Sequence, residues 1–162
     1  MNQKLYFTRR GWNKLQREKD ELNKKLNRLQ AQTAYVAEVG GDQYHDNASY
    51  DLLVIDIRGV DWRLTEAHCC LNQAVIVEPP SNADRVVIGT RVKIMRDGEE
   101  TTWEIVGFGE SDSDRGLLAY NTPVASLLMG KREGAVISDT IAGRKTKIEI
   151  IEISKGGVDE SS

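Results

Sequence analysis

Residues 8–41 read TRRGWNKLQREKDELNKKLNRLQAQTAYVAEVGG, and their spacing sets the architecture of the first half of the chain. Leu15, Leu22, Leu29 and Val36 recur seven apart, and Trp12, Lys19, Leu26 and Thr33 fall between them. Alternating steps of three and four are the imperfect a/d seam of a helix that packs along its length. Thr8 has the chemistry of an N-cap. Gly40-Gly41 ends the helix, because each glycine costs about 1 kcal/mol in a helix interior. Beyond it, Leu53, Ile57, Val60, Leu64, Ala67, Leu71 and Ala74 form a second seam, closed by Pro79-Pro80. Gly59 weakens the middle of that helix, or lets a partner approach closely. The pattern predicts an antiparallel helical hairpin over residues 1–79. Each helix has about 30 residues and a length of about 45 Å, and the reversal lies near residues 41–50. A two-helix rod has little core, so part of it is expected to project. Pattern alone leaves two readings, a packing hairpin or a probe whose tip enters another molecule.

After the linker Pro79–Asp84 the period changes. Residues 85–95 alternate toward their end as a strand does, Asp97-Gly98 is a hairpin turn, and residues 101–106 form a second strand. Residues 117–120 form a short third strand. Pro123 opens a short helix that Gly130 follows, and residues 135–138 and 145–153 complete a small antiparallel sheet. The fold class is therefore α+β: a coiled-coil hairpin, a sheet domain over 80–154 with one short helix, and a polar tail over 155–162.

Composition narrows the class. The chain has 162 residues, 40% of them hydrophobic and 29% charged, with a mean hydropathy of -0.46. No stretch approaches the roughly 18 apolar residues of a membrane span, and Met1–Tyr6 leads into no signal-peptide core. The adjacent Cys69 and Cys70 are a strained pair to bridge and too few thiols for a zinc site. They read as helix-packing residues of a protein in a reducing, cytoplasmic setting. The net charge of -3 hides an asymmetry. Residues 1–41 carry nine Lys or Arg against four acids, and residues 42–79 carry seven acids against Arg58 and Arg63. A basic segment beside an acidic one suggests mutual complementation or two different external partners.

Three groups of residues carry a resemblance to a known family. Gly11-Trp-Asn-Lys-Leu15 is similar to the opening of the first helix in the bacterial Gre transcript-cleavage factors. Gly41-Asp-Gln-Tyr-His-Asp-Asn-Ala-Ser-Tyr50 resembles the family's tip, Gly-Asp-Leu-x-Glu-Asn-Ala-Glu-Tyr. Ile105-Val-Gly107, Glu110-Ser-Asp112, Asn121-Thr-Pro-Val-Ala125 and Leu128-Met-Gly-Lys131 are similar to its Ile-Val-Gly, Glu-Ala-Asp, Ser-Pro-Ile-Ala and Leu-Leu-Gly-Lys elements, in order and spacing. The likeness runs from Phe7 to Ile153.

The resemblance implies a monomeric, cytoplasmic elongation factor that is not itself an enzyme. Its sheet domain, FKBP-like, would dock on bacterial RNA polymerase at the rim of the secondary channel, through Asn121, Pro123, Gly130 and Lys131. Its tip would reach the active site of a backtracked complex and stimulate the polymerase's own Mg²⁺-dependent cleavage of the RNA 3′ segment. No cofactor of its own is implied, since the Mg²⁺ belongs to the polymerase. Asp42 and Asp46 would assist that metal, because Mg²⁺ takes carboxylate oxygens and a second ion stabilises developing charge. Here the tip has one extra residue between its acids, Asp46 replaces a glutamate, and Ser49 stands where a second glutamate is common. Asp46 can equally cap the second helix, with Asp42 in the turn. His45 reads as an exposed turn residue. Lys14, Arg17, Lys24, Lys25 and Arg28 either meet the RNA or form a solvated face paired with neighbouring acids. The altered tip keeps open a channel-occupying regulator or inhibitor that does not promote cleavage. A prolyl isomerase is suggested only by the FKBP-like domain, and with few aromatics the sheet half lacks an obvious apolar proline pocket. A coiled-coil adaptor or chaperone leaves the acidic tip and the Gly-Lys element without a role.

Overall fold

The computed structural model describes residues 3–39 and 48–157. The element order is β1 (Leu5–Phe7), α1 (Arg9–Val39), α2 (Ala48–Asn72), β2 (Ala74–Ile76), β3 (Thr90–Arg96), β4 (Glu99–Val106), β5 (Leu117–Ala119), α3 (Pro123–Leu128), β6 (Val136–Ile141) and β7 (Arg144–Lys155). The chain divides into two compact units. One is Asn13–Gln73, and the other joins Met1–Trp12 to Ala74–Ser162. The first strand and the first turn of α1 thus belong with the sheet, not with the hairpin whose expected span was 1–79.

In the helical unit the two seams meet as their spacing requires. Leu22, Val60 and Leu64 are buried together, with Leu26 and Leu29 packed against them. Glu18 binds Arg63 at 2.8 Å, while Ala31, Gln32, Tyr35 and Val36 share a groove with Leu53. Partners on α2 therefore fall in number as those on α1 rise, which is antiparallel packing. Lys19, the charged member of the seam, is half-buried and donates to Gln16 at 3.1 Å. A helix pair that buries so few side chains leaves most of both helices exposed. Gly59 lies on the open side, with nothing within 4 Å of where a Cβ would stand, so it admits no approach by α1.

The second seam does not run as far as its periodicity suggests. α2 ends at Asn72, and Ala74–Ile76 pairs in parallel with Leu5–Phe7, Leu5 beside Ala74 and Phe7 beside Ile76. The five-stranded sheet has the order β5-β4-β3-β7-β6. The expected antiparallel arrangement holds for β3 with β4 and β7 and for β6 with β7, but β5 lies parallel to β4. The Asp97-Gly98 turn joins β3 to β4 with both residues at positive φ, 51° and 91°, the geometry of a two-residue hairpin. Between Lys93 and Ile94 the ladder to β7 shifts register. That shift lets Thr146, Ile148 and Ile150 and then Ile153 face inward from one strand. The core is Val86, Ile88, Val92, Ile94, Ile105, Ile148, Ile150 and Ile153 under Ala125 and Leu128 of α3. Thr122 caps α3 by accepting from Ala125 N, with Pro123 opening the helix.

Within the sheet unit one buried carboxylate organises the start of α1. Glu110 is 8% exposed. Its Oε1 accepts from Thr8 N at 3.0 Å and its Oε2 from Thr8 Oγ1 at 2.5 Å. Thr8 Oγ1 in turn accepts from Gly11 N at 3.1 Å, so the predicted N-cap is itself held by an acid, where the helix dipole favours negative charge. Two glycines make room for it. A Cβ at Gly11 would stand 2.0 Å from Glu110 Oε1, and one at Gly107 would stand 2.3 Å from the same atom.

The two helical glycines therefore respond to alanine with opposite signs. Gly59→Ala is expected to raise stability by about 0.5–1 kcal/mol through helix propensity. Gly11→Ala must displace Glu110 and break its bonds to Thr8, a loss of about 1–3 kcal/mol. Thermal unfolding checks both, at about 2–4 °C per kcal/mol for a chain of this size. A neutral Gly11→Ala would show that Glu110 does not hold this position.

Candidate functional site

Long helices place side chains on a face by spacing alone, and α1 uses this to collect cations. Lys14, Arg17, Lys24, Lys25 and Arg28 all lie on the exposed side of the helix, away from the seam that Leu22 enters. The five are not equivalent. Lys24 Nζ binds Glu21 at 2.9 Å, and this hydrogen bond, followed by the Glu21 charge, raises the Lys24 pKa above its ordinary value. Arg28 Nε donates to the Lys24 carbonyl at 3.4 Å. Among the described residues, Lys14, Arg17, Lys25 and Arg28 have no carboxylate partner. The stripe is thus mostly uncompensated charge, not a face neutralised by neighbouring acids.

Asp42, Asp46 and His45 lie outside the described residues. The helix that follows them begins at Ala48, with Asp51 in its first turn. Elsewhere on α2 the cysteine pair separates. Cys69 is exposed and Cys70 half-buried, so Cys69 does not pack in the hairpin as expected. Among the described residues no group of three or more His, Cys, Asp or Glu side chains is placed to hold a metal ion, and no helix is long and apolar enough to cross a membrane.

The candidate docking residues surround α3. Asn121, Pro123, Gly130 and Lys131 are all exposed, while Leu128 between them is fully buried. Gly130, at φ 76°, donates to the Val86 carbonyl, and Lys131 accepts from Val86 N, each at 2.8 Å. The backbone of this corner is pinned to the core and its side chains face outward. Nearby, Ser111 Oγ accepts from Ala119 N at 2.9 Å and Asp112 accepts from Arg115 N at 3.3 Å, which shapes the loop from β4 to β5.

Sequence reasoning overlooked the β1–β2 pair and Glu110's hold on Thr8. Residues 5–7 and 74–76 are apolar and strand-prone, but three-residue runs beside helical seams carry little periodicity. It also passed over Tyr35, which is 66% exposed on α1. Its position off the seam was the available signal.

A family model described as transcription elongation factor, GreA/GreB, C-terminal, matches residues 80–155. The transcription elongation factor GreA of Nitratiruptor sp. is similar over 156 residues at 31% identity, covering 94% of each chain. That of Lachnoclostridium phytofermentans is 32% identical over 155 residues, 94% of this chain and 96% of its own. Among solved structures, the GreA factor homolog 1 (Gfh1) protein of Thermus thermophilus aligns with 94% of this chain and 99% of its own, at 18% identity and a TM-score of 0.45.

The two thiols give a direct check on the α2 surface. Cys70 is held above the ordinary thiol pKa, first by burial and then by the neighbouring Cys69 and Glu66. The thiolate is the reactive form, so iodoacetamide at about pH 8 is expected to alkylate Cys69 severalfold faster than Cys70. Peptide mass spectrometry reads the order, and a faster Cys70 would contradict the packing of this turn.

Proposed function

Because the chain belongs to the GreA/GreB family of transcription elongation factors, we propose that it binds bacterial RNA polymerase through the secondary channel and stimulates the polymerase's own Mg²⁺-dependent cleavage of backtracked RNA. The observation that carries the reading is the uncompensated cationic stripe on α1, Lys14, Arg17, Lys25 and Arg28. It lies on a helical hairpin whose sequence leads into the Asp42–Asp46 tip. Cations in a row suit a phosphate backbone, and carboxylates at the tip suit a hard divalent ion. In this reading the sheet unit docks on the rim of the channel through Asn121, Pro123, Gly130 and Lys131. Both partners, the polymerase and the RNA 3′ segment, would be met in the cytoplasm by a single copy of the chain.

The division of labour follows from ligand number. Mg²⁺ prefers six oxygens in octahedral array, and two aspartates supply too few. The chain therefore lends Asp42 and Asp46 to a site whose other ligands are the polymerase's, and acts as an accessory factor. A second reading, a channel-occupying regulator that does not promote cleavage, is favoured by Asp46 and Ser49 standing where the family often has glutamates. The shorter Asp46 side chain reaches one methylene less far.

Cleavage by a backtracked polymerase complex separates the two. Asp42→Asn and Asp46→Asn are each expected to lower stimulated cleavage about 10- to 100-fold, the scale of losing a metal-supporting group, with polymerase binding near parental. Added Mg²⁺ partly restores activity by mass action. If Asp46 only caps α2, Asp46→Asn is silent, since asparagine caps about as well. Parental cleavage in both variants overturns the metal-assisting role. A parent that blocks synthesis and stimulates no cleavage establishes the second reading.

The stripe makes a separate prediction. Charge reversal at Lys25 and Arg28 is expected to reduce stimulated cleavage about fivefold or more, a loss of ~1 kcal/mol. The effect should be largest at low ionic strength, where charges act over about 30 Å. Lys24→Glu alone has the smallest effect, because Glu21 already occupies that ammonium. Salt-independent activity in the Lys25 and Arg28 variants would remove RNA contact from the reading.

A further inference from the structure

We propose that Tyr35 is a base-stacking residue, the aromatic end of the cationic stripe, on which an unpaired base of the RNA strand packs. The inference rests on the functional reading above for the identity of the strand and adds a residue that holds it.

A tyrosine commonly contributes its ring to a core or an interface. Tyr35 is 66% exposed and has no ring contact or hydrogen bond among the described residues. It stands seven residues after Arg28, a spacing that returns to within about 20° on a helix and advances about 10 Å. By the same rule Gln32 stands seven residues after Lys25. Lys25 and Arg28, two of the four stripe cations without a carboxylate partner among the described residues, thus lead, two turns on, to a side-chain amide and an aromatic ring on the same face.

The ring borders a groove of about 430 Å³ lined by Ala31, Gln32, Tyr35, Val36 and Leu53. Ala31 and Val36 are small and leave the ring accessible. Gln32 offers both a donor and an acceptor, suited to a base edge.

Charge chooses the occupant. Within the stripe Glu21 is engaged by Lys24. The exposed acids Glu38, three residues past Tyr35, and Asp51 and Asp56, on either side of Leu53, belong to the groove end, so the charge that calls for a polyanion is that of Lys25 and Arg28, two turns before it. An apolar protein segment would fill the groove but leave Lys25 and Arg28 unanswered. A single strand answers both features, with phosphates on the cations and a base on the ring. Stacking tolerates any base, because each has a π-face, which suits a factor that handles transcripts of any sequence.

The test uses the full-length protein without polymerase. Fluorescence anisotropy measures binding of a labelled single-stranded RNA of about ten nucleotides and of the same strand carrying abasic positions. Tyr35→Ala is expected to weaken binding of the intact strand about 5- to 100-fold, while Tyr35→Phe and Tyr35→Trp retain it. Tyr35→Ala should leave the salt dependence unchanged, whereas Arg28→Glu should flatten it. Abasic RNA should bind parent and Tyr35→Ala alike. Equal affinity of parent and Tyr35→Ala for intact RNA, equal affinity of the parent for intact and abasic strands, or no RNA binding by the parent would each overturn the proposal. Loss of polymerase binding in Tyr35→Ala with RNA binding intact would also overturn it, and would assign the groove to a protein contact. Because these measurements involve no cleavage, their failure leaves the Asp42 and Asp46 result to judge the functional reading on its own.

Discussion

A buried acid at the start of the first helix constrains more of the sequence than any other group. Glu110 sits in the loop after β4, more than a hundred residues beyond Thr8, yet both of its oxygens accept from Thr8. A carboxylate out of water is costly unless it is bonded. Here the orphan donors of a helix N-terminus meet that need, and the acid meets theirs. The arrangement excludes side chains at Gly11 and Gly107. It also draws β1 against the β4 loop, where Phe108 N donates to the Tyr6 carbonyl at 2.7 Å and the Phe7 and Phe108 rings meet edge to face. On its other side β1 is held by β2, with Val77 N donating to the Phe7 carbonyl. The residues that open α1 are thereby part of the sheet unit's own bonding.

The helical unit is built on the opposite principle. It buries little and exposes much, so its surface is free to be specialised. Arg63 is taken up by Glu18 across the helix pair. Among the described residues most of the α1 cations have no carboxylate partner. Exposed salt bridges contribute little to stability, so the stripe owes nothing to folding. Hairpin register comes from Leu22, Val60 and Leu64.

Legibility followed periodicity. The seams of α1 and α2, the Asp97-Gly98 turn and the Thr122-Pro123 start of α3 were readable because each is a local signal whose geometry the sequence states directly. The end of α2 was not, because Ala74 continues the seam and only pairing with residues 5–7 turns it into a strand. The parallel β5 was hidden for the same reason: three residues carry no direction. Glu110 was legible only as part of a family-like segment until its distant partners were placed, and Tyr35 drew no reading until its exposure was known. Of the candidate site, the α1 cations were legible as a face and their unequal pairing was not, since the Lys24–Glu21 bond depends on side-chain choice. The mutual placement of Asp42 and Asp46 lies outside the described residues.

This division bears on what similarity can say about function. Gly11, Gly107, Glu110, Asp112, Pro123 and Gly130 lie in segments that resemble the family, and each has a structural task here: a close approach, a helix cap, a loop bond or a positive φ. Likeness at such positions certifies the fold. Lys25, Arg28 and Tyr35 have no comparable structural task in the described bonding. Replacing them removes no buried contact and no cap, so changes there should report on partners and not on folding. In this molecule Lys25, Arg28 and Tyr35 stand outside the set that identifies the architecture, whereas Pro123 and Gly130 belong to it and are also proposed docking residues. A variant series at Lys25, Arg28 and Tyr35 therefore measures function against an intact fold.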